Sequence, residues 1–326
     1  MSPFGAIPVP GSLRITLVLL AVIPAVMAYP WNSSRSYWLL GTAVTVVVVL
    51  LGWWRGLHLT TILGRRLRMV RHRGNIAVRP ESATTTTVLM NVRAAQGSSD
   101  QLPLLLIAGY LNRFGVRADK IRITNCSRGS DVSPSQTWIA LTISAGDNLD
   151  ALLARSPRSP LHETAEVAAR RLAAHLGELG WDATILKPND IPRLFGHEGS
   201  EAWRALQRQT PDFVAAYRIR VDDLFAETLE AVCAHAAGEK YIALELAGGG
   251  VDTTIAAACA FVEDAPPGAT APVAGLVNQH GNQRPALTAL ELSSTQRLEG
   301  HERTTPALLA QLLWPTPNRQ SVHRAL

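Results

Sequence analysis

Hydrophobic positions fall into two regimes along this chain: long uncharged runs before residue 55, and short alternating or helical patterns after residue 84. Ile15 to Ala28 contains no charged residue, and Tyr37 to Trp54 is 18 residues with none. As a helix rising ~1.5 Å per residue, the second run would cover about 27 Å, close to the hydrocarbon thickness of a bilayer. A strand of that length would be far outside the usual range. The pattern predicts an N-terminal two-helix transmembrane hairpin, with spans at about 13–31 and 37–54. Pro24 is expected to kink the first span. Tyr29, Trp31, Tyr37 and Trp38 are expected to form an aromatic belt at one interface, with Trp53 and Trp54 at the other. The alternative for the first run is a cleaved signal peptide, with Val26-Met27-Ala28 supplying the small residues for processing.

Beyond the second run the pattern turns amphipathic. Leu59, Ile62, Leu63, Leu67 and Val70 recur at helical spacing among arginines, which predicts a basic juxtamembrane helix over 55–73. Arg55, Arg65, Arg66, Arg68, Arg71 and Arg73 come after the predicted span, whereas only Arg35 lies just before it. That asymmetry predicts a multi-pass membrane protein with the N-terminus and the C-terminal domain in the cytoplasm. The same arginines are candidate contacts for anionic lipid headgroups or for a partner. Residues 1–80 carry nine arginines and no acid, so residues 81–326 carry −4 of the total +5. The basic charge is therefore juxtamembrane, which argues against a nucleic-acid partner despite a pI near 9.4.

From residue 87 onward the periods alternate between two and 3.6. Strands are predicted at Thr87 to Val92, Ile121 to Thr124, Thr137 to Ser144 and Trp181 to Leu186, with helices at Asp100 to Phe114 and Leu161 to Leu179. This β-α-β-β-α-β order is that of a ferredoxin-like unit. A connector comes next, with a short helix near Trp203. A second unit is then predicted: strands at Phe213 to Val221, Tyr241 to Leu246, Thr253 to Val262 and Leu287 to Leu292, and a helix over Asp222 to Ala237 started by Asp222. The predicted fold class is thus α+β, a transmembrane hairpin followed by ferredoxin-like units. The predicted domains are 1–54, 55–73, 74–187, 188–300 and a tail at 301–326.

Candidate chemistry is sparse. Cys126, Cys233 and Cys259 make no CxxC pair and are expected to be reduced thiols rather than zinc ligands. Gly248-Gly249-Gly250 lacks the Lys-Ser/Thr of a phosphate loop and sits between two predicted strands, so a hairpin turn is the simpler reading. Asp222, Asp223, Glu227 and Glu230 form the most enzyme-like cluster, since paired acids can hold a metal and a diphosphate. Acids at a helix start also favour the positive dipole end. Neither HExxH nor GxSxG occurs, and no catalytic, cofactor-binding or metal site is expected. These patterns leave three function classes: a membrane-anchored assembly subunit, a membrane-tethered metal-dependent transferase using Asp222 and Asp223, and a lipid-binding regulator using Arg65 to Arg73.

Strings along nearly the whole chain resemble one family. They include Trp53-Trp54-Arg55-Gly56, Leu59-Thr60-Thr61, Gly64-Arg65-Arg66, Met69-Val70-Arg71 and Gly109-Tyr110-Leu111. They continue through Asp119-Lys120-Ile121-Arg122-Ile123-Thr124, Ala215-Ala216-Tyr217-Arg218, Val221-Asp222-Asp223, Arg284-Pro285-Ala286-Leu287 and Ser294-Thr295-Gln296-Arg297-Leu298. The layout resembles the EccE component of the type VII (ESX) secretion systems of mycobacteria, and within it the branch serving the metal-responsive, iron-acquisition system. The resemblance implies a non-catalytic structural subunit of an inner-membrane secretion complex. It also implies EccB, EccC and EccD as partners, EccC being the ATPase that drives export of small helical protein pairs. It implies no cofactor and no small-molecule substrate.

Overall fold

The computed structural model describes residues 12–27, 29, 34–51, 53–54, 57–58, 61–66, 84–94, 101–129, 135–155, 161–196 and 199–314. They fall into two units, Met1–Arg73 and Gly74–Leu326, each taken by itself.

In the first unit, helices α1 (Ser12–Met27) and α2 (Ser34–Leu51) pack against each other, and Trp53–Trp54 pairs antiparallel with Leu57–His58. Residues 61–66 are helical. Among the described residues no helix is long and apolar enough to cross a membrane, which corrects the expected transmembrane hairpin and the multi-pass topology built on it. The reason is local. Helix α1 has 16 residues and so a length of about 24 Å. Helix α2 uses its first turn on Ser34-Arg35-Ser36 and stops at Leu51, which shortens the apolar stretch from Tyr37 to about 22 Å. Trp53 and Trp54, read from sequence as the end of the span, leave the helix for the hairpin. Uncharged composition alone did not reveal that break.

The second unit is built on one large antiparallel sheet. Its strands are β1 (Thr85–Ala94), β2 (Val116–Arg128), β3 (Gln136–Ser144), β4 (Trp181–Ile185), β5 (Gly199–Glu201), β6 (Leu206–Arg208), β7 (Phe213–Ile219), β8 (Glu239–Ala247), β9 (Thr254–Glu263), β10 (Leu276–Asn278) and β11 (Glu302–Arg303). The order across the sheet is β4-β1-β3-β2-β8-β9-β7-β6-β5, with β10 also pairing β7 and β11 pairing β9. The helices are α3 (Leu104–Gly109), α4 (Leu149–Arg155), α5 (Leu161–Glu178), α6 (Phe225–Ala234), α7 (Gln283–Leu290) and α8 (Pro306–Gln311). The fold class is corrected accordingly, from a membrane hairpin with α+β units to a large antiparallel sheet carrying helices.

The two halves of the sheet meet along β2 and β8, in register from Arg128↔Glu239 to Lys120↔Ala247. Outward from that seam one half runs β2, β3, β1, β4 and the other β8, β9, β7, β10. A helix links the first two strands of each half in sequence, α3 between β1 and β2 and α6 between β7 and β8. The halves differ after their third strand. In the first, α4 and α5 succeed β3, whereas in the second residues 264–275 join β9 to β10 without a helix.

Both faces of the sheet are buried, and alternation along the seam strands assigns side chains to each. Ile121, Ile123, Ile242, Leu244 and Leu246 join the core that contains Ala165, Ala169 and Leu172 of α5 and Phe225 and Leu229 of α6. Cys126, Tyr241 and Ala243 join the opposite core, with Phe195, Leu287 and Leu290. Three sequence expectations fail here for packing reasons. Residues 287–292, predicted as a strand, lie largely in α7, where Leu287 and Leu290, three apart on one helical face, are buried. The short helix predicted near Trp203 is instead the connection between β5 and β6. The helix predicted over Asp100 to Phe114 is confined to Leu104–Gly109, because Asn112 and Arg113 turn back to pair with Arg117 and Val116.

Gly248-Gly249-Gly250 forms the turn between β8 and β9. At Gly248, φ is +85° and an added Cβ would lie 2.3 Å from the Asp252 carbonyl oxygen. Gly248→Ala is expected to destabilise the fold by about 1–3 kcal/mol, the usual cost of a strained backbone position. Urea unfolding would measure it, and a loss below about 0.5 kcal/mol, ordinary for a surface change, would contradict the account.

Candidate functional site: a buried charge clamp

Among the described residues, a cluster of buried charges sits on the seam. Lys120 and Arg122 are two apart on β2 and so share one face, and Arg122 lies directly opposite Glu245 of β8. Asp119 marks a register shift between β2 and β3 just before them, a bulge that re-aims the strand. Arg122 is 1 % exposed and Glu245 is fully buried. Charges placed there must be paired and hydrogen-bonded, or desolvation destabilises the fold heavily.

They are paired. Arg122 Nε and Nη2 donate to Glu245 Oε2 at 2.9 and 2.5 Å. Lys120 Nζ lies 3.3 Å from the same oxygen. The other oxygen, Oε1, accepts from the Leu298 backbone N–H at 2.9 Å and from His301 Nε2 at 3.1 Å. The remaining donors of Arg122 reach the carbonyls of Ala289, Glu291 (3.1 Å) and Gln296 (2.6 Å), and Lys120 Nζ also donates to Gln296 O. Residues 289–301 are therefore fastened across the seam by side chains of β2 and β8. Arg297 pairs with Asp119 at the rim. Glu291 anchors the far end: its carboxylate accepts from the backbone N–H of Leu194 (3.1 Å) and Phe195 (2.8 Å).

Two cations face one carboxylate, and that sets the proton balance. Burial raises the Glu245 pKa, but Arg122, the His301 hydrogen bond and Lys120 outweigh it and hold the carboxyl below its usual range. Lys120 carries the excess. Burial first, then the Arg122 charge, push its ammonium down to about 7 despite the pull of Glu245. From about pH 7 to the ordinary lysine value near 10.4, the unfolded chain then holds a proton that the folded chain lacks. Stability from this group therefore rises with pH across that window and is absent below it. Lys120→Met is expected to flatten the slope of unfolding free energy against pH between about 7 and 10. Urea titrations at several pH values would test this, and an unchanged slope would contradict it.

Chemically the cluster is a fastener. Both oxygens of Glu245 and all three guanidinium nitrogens of Arg122 are taken up by groups of this chain. Sequence reasoning missed the cluster, although 119–124 and 294–298 were among the strings that carried the family resemblance. The available signal was Lys120 and Arg122 alternating with Ile121 and Ile123 inside an otherwise apolar strand.

The residues singled out from sequence are placed elsewhere. Tyr29, Tyr37 and Trp38 are exposed. Trp53 and Trp54 lie on the short hairpin, and Arg65 and Arg66 belong to the helical residues 61–66. Trp31, Arg55, Arg68, Arg71 and Arg73 lie outside the described residues. Asp222, Asp223, Glu227 and Glu230 are all exposed. The helix expected to start at Asp222 begins at Phe225; Asp222 Oδ1 accepts from Leu224 N–H at 3.1 Å in the preceding turn. Among the described residues no group of three or more His, Cys, Asp or Glu side chains could hold a metal ion. Cys126 and Cys233 are free thiols that burial pushes up to about 11.

Comparison with known proteins places the chain. A family model described as "Putative type VII ESX secretion system translocon, EccE" matches residues 132–219, from just before β3 through β7. The ESX-3 secretion system protein EccE3 of Mycobacterium tuberculosis (strain CDC 1551 / Oshkosh) is 51% identical over 97% of this chain and 95% of its own length. The ESX-3 secretion system protein EccE3 of Mycolicibacterium smegmatis is 41% identical over 91% of this chain and 93% of its own. ESX-3 is the iron- and metal-linked system, the branch that the sequence strings indicated. With identity of this level over nearly the full length, the chain belongs to the EccE family and is a type VII secretion component.

Proposed function

We propose that the chain is a non-catalytic structural subunit of a membrane-associated type VII secretion complex. Its partners are the EccB, EccC and EccD subunits, and its part is to support export of small helical protein pairs driven by the EccC ATPase. The observation that carries the reading is the clamp. The cluster of buried ionisable side chains on β2 and β8 fastens residues 289–301 across the seam of the sheet. That use of charge suits a rigid docking body. The sheet unit faces the cytoplasm in this reading, and Arg65 and Arg66 contribute contacts with anionic lipid or with a partner.

The rival with a specific chemical basis is a metal-dependent transferase centred on Asp222 and Asp223. Replacing both with asparagine separates the two. A scaffold is expected to assemble and to support secretion of its substrates at the wild-type level. Lost secretion with a fully assembled complex would favour the transferase.

A further inference from the structure

Backbone pairing of Asn112 with Arg117 and of Arg113 with Val116 encloses a two-residue turn, Phe114-Gly115. Both residues have positive φ, +56° and +73°. That is the signature of a type I′ turn, whose first position normally holds asparagine, aspartate or glycine. Phe114 is the one non-glycine residue with positive φ among those described. It is also 56% exposed, so no burial offsets the strain on a bulky side chain.

The ring is nevertheless held in place. The guanidinium of Arg171 stands 4.7 Å from its centroid and that of Arg113 5.2 Å. Arg113 also covers the Tyr110 ring at 4.8 Å, and Tyr110 meets Phe114 edge-on. The Tyr110 hydroxyl donates to the Arg171 carbonyl at 3.0 Å, which ties the turn to α5. Val167 and Ala168 of α5 line the shallow depression beside the ring. Among the described residues neither Arg113 nor Arg171 pairs with a carboxylate, whereas the adjacent Arg170 is bound to Glu166 at 2.6 Å. Two cations with no carboxylate partner among the described residues thus frame a strained, outward-facing aromatic. Strain of this kind persists where the surrounding structure holds it in place, and such positions cluster at functional sites.

We propose that the Phe114 turn is a docking knob for another protein subunit, one that presents carboxylates around an apolar pocket. The phenyl ring fills the pocket and Arg113 and Arg171 take the carboxylates, the combination of aromatic anchor and arginine common at interface hot spots. Nucleobases also stack on aromatic rings flanked by arginine. The net charge of −4 on residues 81–326 disfavours such an extended polyanion, whereas the two guanidiniums at the ring match a local acidic patch. The proposal rests on the assembly reading only for which protein supplies the pocket.

The test places the photocrosslinker p-benzoylphenylalanine at position 114 of the full chain in cells, with the exposed Asp252 position as control. Adducts are mapped by mass spectrometry. The expected result is a position-114 adduct on one segment of another protein, rich in Asp or Glu around apolar residues. Arg113→Gln and Arg171→Gln in that background are each expected to lower its yield about tenfold, the loss of one charge-assisted hydrogen bond. Adducts no more abundant than at position 252, adducts to nucleic acid or lipid, or a yield indifferent to both arginine variants would each overturn the proposal. An adduct on an acidic segment outside the secretion system would support the docking knob and count against the assembly reading. Phe114→Gly supplies a control for folding, since removing the strain is expected to keep or raise the unfolding temperature while partner recovery falls. A fall in both would assign Phe114 to the fold.

Discussion

Glu245→Ala is expected to destabilise the sheet unit by about 3–5 kcal/mol, the range for removing one partner of a buried ion pair. The loss comes largely from the groups left behind. Arg122 would remain buried with no counter-charge, Lys120 would lose the partner that favours its charged form, and the Leu298 N–H would lose its acceptor. Urea unfolding of the sheet unit at neutral pH would measure it. Replacing Lys120, Arg122 and Glu245 together with apolar residues is expected to recover part of the stability, since it removes the unpaired charge but leaves the Leu298 N–H without its acceptor. Acid should mimic the single substitution. The Glu245 pKa is held below its unfolded value, so its contribution is complete above the ordinary carboxylate range and is lost as pH falls through the folded value. A wild-type-like midpoint for Glu245→Ala would contradict the clamp.

Glu291→Ala should have the second-largest effect, about 3 kcal/mol, because it orphans two buried backbone donors at about 1–3 kcal/mol each. The N–H groups of Leu194 and Phe195 both end on this carboxylate, and the Phe195 ring lies in the core against Tyr241, with centroids 4.9 Å apart. Glu291→Gln keeps one acceptor oxygen and should lose roughly half as much. Hydrogen exchange would localise the effect: amides of 194–195 should lose protection in Glu291→Ala before those of β8. Uniform loss across the sheet would show that the carboxylate holds no local contact.

These groups explain which features the sequence made legible and which it hid. Strands β1, β3, β7, β8 and β9 were readable because their apolar runs are bounded by turn residues and have strand length. Helix α5 was readable because Leu172 and Leu176 recur at helical spacing. The seam was not readable. Pairing of β2 with β8 joins residues more than a hundred positions apart, and no local pattern encodes it. The clamp was hidden for the same reason: Lys120, Arg122, Glu245 and His301 are ordinary charged residues until pairing places them together. α7 was misread because the hydrophobicity of 287–292 suits strand and helix alike, and packing against the sheet decided it. The predicted membrane hairpin failed at its ends. Absence of charge set its expected length, whereas the polar first turn of α2 and the departure of Trp53 and Trp54 from the helix set the actual one.

This EccE-family chain is proposed to work as part of an assembly. Native-mass analysis of gently solubilised membranes carrying a C-terminally tagged copy, with identification of co-purifying proteins, tests it most directly. The expected result is recovery in a megadalton-scale particle together with the EccC ATPase and the EccB and EccD subunits. Recovery of the tagged chain as a free monomer or homodimer, from membranes in which the rest of the complex is intact, would contradict it.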